Sequence, residues 1–326
     1  MKAVLLGSRN GGLERVEALN ARARSAGLVE FVLVDATQEP HHIVQECEGA
    51  KVLIGPDREE TVKLAQDIAG LKLIQTFSAG TNSLDKGLLL NIGVQVANNG
   101  GANAVCVAEH AIWLMTTINH KFDKQIASVR AGHWASDVTG AREEFRTLVD
   151  RRVGIVGLGR IGSRVAKRLT GWECDVVFHD AVEFDADYVR EAGAHRVSLD
   201  ELIETSDIVS LHVPLDRSTN GMISTEQFRA MKKTAILINT CRGPVVDESA
   251  MIHALKTSEI FAAGMDVTEV EPIQPDNELL TLPNVVITPH LGAITIESEW
   301  NATLNAVENA ERIARGDNPL WVVDPV

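Results

Sequence analysis

Cysteine is scarce in this chain, with four residues in 326, at Cys47, Cys106, Cys174 and Cys241. They have neither metal-ligand spacing nor the density of a disulfide framework, so no metal is expected and a reducing cytoplasm is. Basic charge is also short: 31 Lys and Arg against 45 Asp and Glu leave a formal net charge of −14. A surface that acidic repels phosphate backbones and anionic lipid, so neither nucleic acid nor membrane is expected as a partner. Long apolar runs are missing as well. The most apolar stretch, AVCVAEHAIWLMTTI from Ala104 to Ile118, is too short to span a bilayer and carries Glu109 and His110. The opening MKAVLLGS has too short an apolar run for a secretory signal and leads to Glu14, Arg15 and Glu17, so it reads as a first strand. The sequence contains no short-period repeat and no low-complexity linker.

What remains is ordinary globular composition, 45% hydrophobic and 23% charged, in a chain long enough for two domains with cores of their own. KAVLLG, EFVLVD, KVLIG and LKLIQTF alternate with helix-like segments such as ERVEALNARARSAG and EETVKLAQDIAG, the pattern of parallel βαβ winding. This first series reaches VQVANN, where Asn-Asn-Gly-Gly punctuates the chain. After a long helix a second series follows: CDVVFHD, IVSLHVP, AILINT, AGMDV and VVITPH. These runs lean on Val and Ile without strict alternation, as strands covered on both faces do. A last helix is predicted from roughly Ala293 to Arg315, closed by Gly316 and Pro319. The expectation is two doubly wound α/β domains.

GIVGLGRIG supplies G-x-G-x-x-G at Gly157, Gly159 and Gly162. Glycines are common at turns, but this set follows an apolar strand at Val153 to Val156 and opens a helix at Ser163. Asp180 ends the next strand about twenty residues later, as the dinucleotide fingerprint requires. Gly157 suits the tight turn, Gly159 the approach of a pyrophosphate, and Gly162 close helix–strand packing. The amides of Arg160 and Ile161 and the helix dipole would hold the phosphates. Asp180 would accept from the adenosine ribose hydroxyls and repel a 2′-phosphate. No Arg or Lys follows in AVEFDAD, so NAD is expected over NADP.

Three later fragments carry chemistry: NTCRGPVVDE with Arg242, GMDVTEVEP with Asp266 and Glu271, and ITPHLGA with His290 and Gly292. Each lies at or just after the end of a strand-like run, where open α/β sheets gather ligands. An Arg fork can bind a carboxylate and polarise a carbonyl beside it. A His can protonate the developing alkoxide, and a carboxylate on its other ring nitrogen fixes the tautomer. Taken singly, each residue also has a bland reading: a capped surface Arg, an exposed loop acid, a core His.

Together with SAGTNSLD, AVCVAEHAIWLM and LHVPLDRSTNGMI, these fragments make the chain resemble the D-2-hydroxyacid dehydrogenase family, which includes D-lactate, D-glycerate and phosphoglycerate dehydrogenases. The resemblance covers nearly the whole chain. It implies a flavodoxin-like substrate domain, residues 1–102 plus 294–326, and a Rossmann NAD-binding domain, residues 103–293, with the active site in the cleft between them. It also implies an NAD-dependent enzyme that interconverts a 2-oxo acid and a D-2-hydroxy acid, working as a homodimer. The family's triad maps onto Arg242, Glu271 and His290. By the same resemblance the backbone at Ala79 and Gly80 grips the substrate carboxylate, with Ser78 and Asn82 nearby. Asp266 meets the nicotinamide carboxamide, Val213, Pro214 and Thr219 run beneath the cofactor, and Thr240 and Cys241 face the nicotinamide ring. Cys241 stands where relatives more often have Ala or Ser, a small filler in preference to a reactive thiol.

Some residues depart from the family pattern. Thr268 replaces the usual Phe, which predicts looser packing behind Glu271. ITIESEW lacks the basic residue many relatives place after PHLGA, which argues against a phosphorylated substrate. No regulatory extension is expected after Val326. Val129 to Leu148 is a variable segment, in which Trp134, Arg142 and Arg146 read as solvated surface or as shapers of the pocket. A rival reading is an NAD-sensing protein like the corepressors that resemble this family. Phosphite oxidation shares the Arg-Glu-His set, whereas formate dehydrogenase has Gln in place of the Glu.

Overall fold

The structure, a computed structural model, describes residues 1–23, 27–134 and 145–324. Along the chain lie β1 (Lys2–Gly7), α1 (Arg9–Arg22), β2 (Glu30–Asp35), α2 (Pro40–Glu46), β3 (Ala50–Ile54), α3 (Glu59–Asp67), β4 (Leu73–Gln75), α4 (Lys86–Asn91) and β5 (Gln95–Ala97). There follow α5 (Ala104–His120), α6 (Phe122–Arg130), β6 (Arg152–Val156), α7 (Gly162–Thr170), β7 (Asp175–His179), α8 (Ala186–Ala192), β8 (His195–Arg196), α9 (Leu199–Thr205) and β9 (Ile208–Leu211). The last are α10 (Thr225–Ala230), β10 (Ile236–Asn239), α11 (Glu248–Lys256), β11 (Ala262–Met265), β12 (Val285–Ile287) and α12 (Ile296–Arg315). The chain divides into two compact units, Met1–Asn103 with Ile294–Val326, and Ala104–Ala293.

The first unit holds five strands in the order β2-β1-β3-β4-β5, every pairing parallel. Ala3, Val4 and Leu5 are buried in succession because both faces of β1 are covered. One face packs Ala306, Val307 and Ala310 of α12 against Leu5, Ile54 and Leu73. The other packs Ile43, Val62, Ala65 and Leu89 of α2, α3 and α4 against Val4, Leu53 and Ile74. Helix α12 starts at Ile296 because the Thr295 hydroxyl accepts from the Ser298 amide, and Gly316 ends it in the left-handed region at φ 84°.

The second unit holds seven parallel strands in the order β12-β11-β10-β9-β6-β7-β8. Ala108, Ala111, Leu114 and Met115 of α5 and Val165 and Leu169 of α7 cover one face. Leu202, Phe228, Met251 and Leu255 of α9, α10 and α11 cover the other. Strand order reverses between β6 and β9, which opens a crevice at their carboxyl ends.

Candidate active site

Arg242, Glu271 and His290 follow β10, β11 and β12, three neighbouring parallel strands, so all three leave the sheet at one end. Asn239, the last residue of β10, is fully buried and organises the first loop. Its Nδ2 donates to the Arg242 carbonyl at 2.9 Å, while its Oδ1 accepts from the Cys241 amide at 3.0 Å. Gly243 then runs hard against the next loop: a Cβ there would lie 1.9 Å from the Thr268 carbonyl oxygen, so only glycine fits. The loops bearing Arg242 and Glu271 are therefore in direct backbone contact.

His290 Nδ1 and Glu271 Oε2 are 2.6 Å apart, with the two side chains 43% and 37% exposed. Exposed pairs of this kind contribute about 0.2–1 kcal/mol. The worth of the contact is orientation: with Nδ1 bound to the carboxylate, Nε2 is the nitrogen left to exchange a proton. His290 sits at φ 56°, its amide donating to the Thr288 carbonyl at 3.0 Å.

That strained turn is anchored by Asp266, which is 3% exposed. Its oxygens accept from Thr288 Oγ1 at 2.6 Å, the Leu291 amide at 3.1 Å and the Gly292 amide at 2.9 Å. His110 of α5 joins at 2.8 Å from Thr288 Oγ1. Burial pushes the Asp266 carboxyl up, but hydrogen bonds from His110, Thr288 and Gly292 outweigh it and hold the group below its ordinary range.

The glycine motif lies in the crevice between β6 and β9. Gly157, at φ 94°, abuts His212 just beyond β9, and a Cβ on Gly162 would lie 2.0 Å from the Gly157 carbonyl oxygen. A Cβ on Gly159 would meet nothing within 4 Å, so that face of the turn is open to a ligand. Asp180 accepts from the Leu158 amide at 2.7 Å and the Val182 amide at 2.9 Å, which leaves lone pairs for further donors. Thr240 Oγ1 and His212 Nδ1, just beyond β10 and β9, are enclosed without a protein partner, and burial pushes His212 down to about 3. Buried polar atoms of this kind are normally satisfied, so the pair marks a place where a polar ligand fits. These features suit a dinucleotide.

Other candidates are placed less openly. The Thr219 hydroxyl donates to the Pro214 carbonyl at 2.7 Å and accepts from the Asp216 amide at 2.9 Å, so it is used within its own loop. Val213 lines the Gly157 turn. Burial pushes the Cys241 thiol up to about 11, and its Sγ lies 3.0 Å from Asn239 Oδ1, consistent with a filler and not a nucleophile. In the first unit, the carbonyls of Ser78, Ala79 and Gly80 accept from the Asn99 amide, Asn98 Nδ2 and Ser78 Oγ, at 3.1, 3.2 and 2.8 Å. The turn is held by internal bonds through its acceptors. Asp57 pins the following turn through the amides of Asn82 and Ser83.

Packing behind Glu271 is not loosened by Thr268: that residue is 6% exposed, and its hydroxyl donates to the Val270 carbonyl at 2.9 Å. Arg142 lies outside the described residues. Arg146 stacks over Phe261 and donates to the Thr234 carbonyl, while Trp134 is 86% exposed. Sequence reasoning missed Asn239, which organises the loop just after its own strand, and His110, Thr288 and Glu248, whose side chains act on loops distant in sequence. It also missed Arg196, on the two-residue strand β8, which donates to the Asp180 carbonyl at 2.8 Å. A polar residue ending an all-apolar strand was the available signal for Asn239. Among the described residues there is no cluster of metal-ligating side chains, and no helix is long and apolar enough to cross a membrane.

A parallel sheet with its glycine turn at the strand-order reversal defines the class, the dinucleotide-binding α/β proteins. Residues 112–292, more than half of the chain, match the NAD-binding domain of the D-isomer specific 2-hydroxyacid dehydrogenases, and the chain belongs to this family of NAD-dependent oxidoreductases. A glyoxylate reductase of Korarchaeum cryptofilum is 35% identical over 282 residues, 86% of this chain and 84% of that protein. A D-3-phosphoglycerate dehydrogenase of Archaeoglobus fulgidus is 34% identical over 267 residues, 81% of this chain but only 49% of that protein, so the chain spans about half its length. Holo D-mandelate dehydrogenase of Rhodotorula graminis superposes with a TM-score of 0.85 at 26% identity, covering 100% of this chain and 98% of that one.

Proposed function

We propose that the protein interconverts a small, unphosphorylated 2-oxo acid and its D-2-hydroxy acid with NAD(H), using Arg242, Glu271 and His290. The observation that carries this reading is the 2.6 Å contact between His290 Nδ1 and Glu271 Oε2, beside the loop that presents Arg242. Bound NAD(H) supplies or accepts the hydride. The Arg242 fork binds the substrate carboxylate and draws electron density from the adjacent carbonyl. As the carbonyl oxygen gains charge, His290 Nε2 delivers its proton there, leaving a neutral ring still bonded to Glu271 through Nδ1. Oxidation runs the same path backwards, with neutral His290 as the base.

The Gly157–Gly162 turn, with the amides of Arg160 and Ile161, receives the pyrophosphate. Asp180 takes the ribose hydroxyls and disfavours a 2′-phosphate, so NAD is preferred to NADP. Val213, Pro214 and Thr219 flank the dinucleotide, Thr240, Cys241 and Gly292 the nicotinamide end, and Asp266 has a remaining lone pair for the carboxamide. The absence of basic residues in the segment after Gly292 (AITIESEW) and the similarity to a glyoxylate reductase favour a short acid. Exposed Trp113, Ile126 and Val129 on α5 and α6 favour a homodimer, and four free cysteines favour the cytoplasm.

The test is loss of NADH absorbance with glyoxylate, hydroxypyruvate, pyruvate and branched 2-oxo acids. At least one should be turned over, and His290→Ala should cut kcat by roughly a hundredfold or more with NADH binding retained. Tight NADH binding with no turnover of any acid would overturn the proposal in favour of a nucleotide sensor.

A further inference from the structure

Glu271 is held by more than His290. Its Oε2 faces the imidazole, and its Oε1 accepts from the backbone amide of Thr268 at 3.2 Å. That amide is aimed by a turn, residues 268–271, which the Thr268 hydroxyl closes by donating to the Val270 carbonyl at 2.9 Å. The rest of the turn is clamped from α11 and from the loop after β10. The Glu269 amide donates to Glu248 Oε2 at 2.9 Å, Asn277 Nδ2 donates to Glu248 Oε1 at 2.7 Å, and Gly243 presses on the Thr268 carbonyl. An exposed carboxylate facing only a solvated imidazole would be free to rotate about its side-chain torsions, because water competes for both oxygens. Here a second donor fixes the plane of the carboxylate, and a threonine hydroxyl fixes the second donor. Charged groups on or beside this turn are Glu269 and Glu271 on it, Asp266 two residues before it, Glu248 at the start of α11, Arg242 next to Gly243, and His290 after β12.

We propose that Thr268 is a positioning residue for the Glu271–His290 pair, its hydroxyl closing the turn that orients the carboxylate. The inference rests on the reading of His290 as proton donor and adds to it a role for the Thr268 hydroxyl. Thr268→Val keeps the shape and removes only the hydroxyl, Thr268→Ser restores it, and Thr268→Ala makes the same deletion should Val crowd the turn. Reductive kcat and KM would be measured across pH with glyoxylate or hydroxypyruvate, whichever turns over faster. Imidazole nitrogen NMR of His290 in protein without nucleotide would report the Nδ1 hydrogen bond independently of activity. Thr268→Val should lower kcat about three- to tenfold, the loss expected of one hydrogen bond. Its alkaline loss of reductive turnover should move to lower pH and the Nδ1 signal should change, with KM within about twofold of the parent. Thr268→Ser should reverse both changes. Glu271→Gln distinguishes the role of Thr268 from that of the His290–Glu271 pair. If it shifts the pH profile and the ring signal while Thr268→Val and Thr268→Ala shift neither, Thr268 is structural only and the inference fails. If Glu271→Gln itself shifts nothing, the underlying His–Glu reading fails.

Discussion

Arg242 leaves β10 with its backbone carbonyl held by the buried amide of Asn239, which also bonds the Cys241 amide in the same loop. Its guanidinium is presented from a loop whose backbone has little freedom, the condition for a fork that must meet a planar carboxylate. Arg242→Lys keeps the charge and loses the two-pronged geometry. Substrate KM should rise about tenfold or more, since hydrogen bonds between charged groups are worth about 1.5–3 kcal/mol. An unchanged KM in steady-state kinetics would remove Arg242 from the carboxylate. At this scale the sequence was informative where chemistry repeats a spacing, as with the three glycines and the Arg, Glu and His at strand ends. Residues that hold those groups in place were not legible. His110 reaches Thr288, and Glu248 reaches the Glu269 amide, across 178 and 21 positions of chain, and no local pattern marks either. Thr268 misled because a change of residue type reads as a lost packing group, while the gained hydroxyl has meaning only once the turn is known.

At the level of elements, the loops after β10 and β11 behave as one piece because Gly243 lets two backbones touch. Gly243→Ala places a carbon 1.9 Å from a carbonyl oxygen that cannot swing away, so the two loops must part. The expected outcome is a lower thermal midpoint, from overpacking strain of about 1–3 kcal/mol, and a large fall in kcat together. Native-like kcat in the Ala variant would show that the loops move independently. The long, Val- and Ile-rich strands and the long helices were evident from the run of residues. One end shifted where a cap decided it: α12 begins at Ile296, after the Thr295 cap, and not near Ala293. Strand β8 escaped notice because two residues, His195 and Arg196, carry no periodicity at all.

For the whole molecule, alternation of strand and helix implied parallel sheets but not the order of strands within them. Order depends on which apolar faces find each other in space, and here it places the glycine turn at the reversal between β6 and β9. Acid stability of the Ala104–Ala293 unit should reflect Asp266, whose carboxyl is held low by its partners. A group depressed on folding contributes stability above its unfolded pKa of about 3.9 and loses it as pH falls through the lower folded value. Asp266→Asn should therefore lower the thermal midpoint near neutrality and narrow its gap from the parent in strong acid. An equal deficit at every pH would show that the charge is not what matters.

The other unit is assembled from two stretches that flank the Ala104–Ala293 unit in sequence: Ala306, Val307 and Ala310 fill one face of its sheet, and the Val323 amide donates to the Val96 carbonyl. Synthesis from the amino terminus therefore delivers that sheet first and its cover last, while the Ala104–Ala293 stretch receives all of its own chain in between. The Ala104–Ala293 unit should mature before the unit whose first strands precede it, against the usual order in which earlier domains fold first. Ribosome-bound chains stopped short of α12 should then resist protease in the middle and be cut within the first hundred or so residues, and such chains should be the ones that bind chaperones.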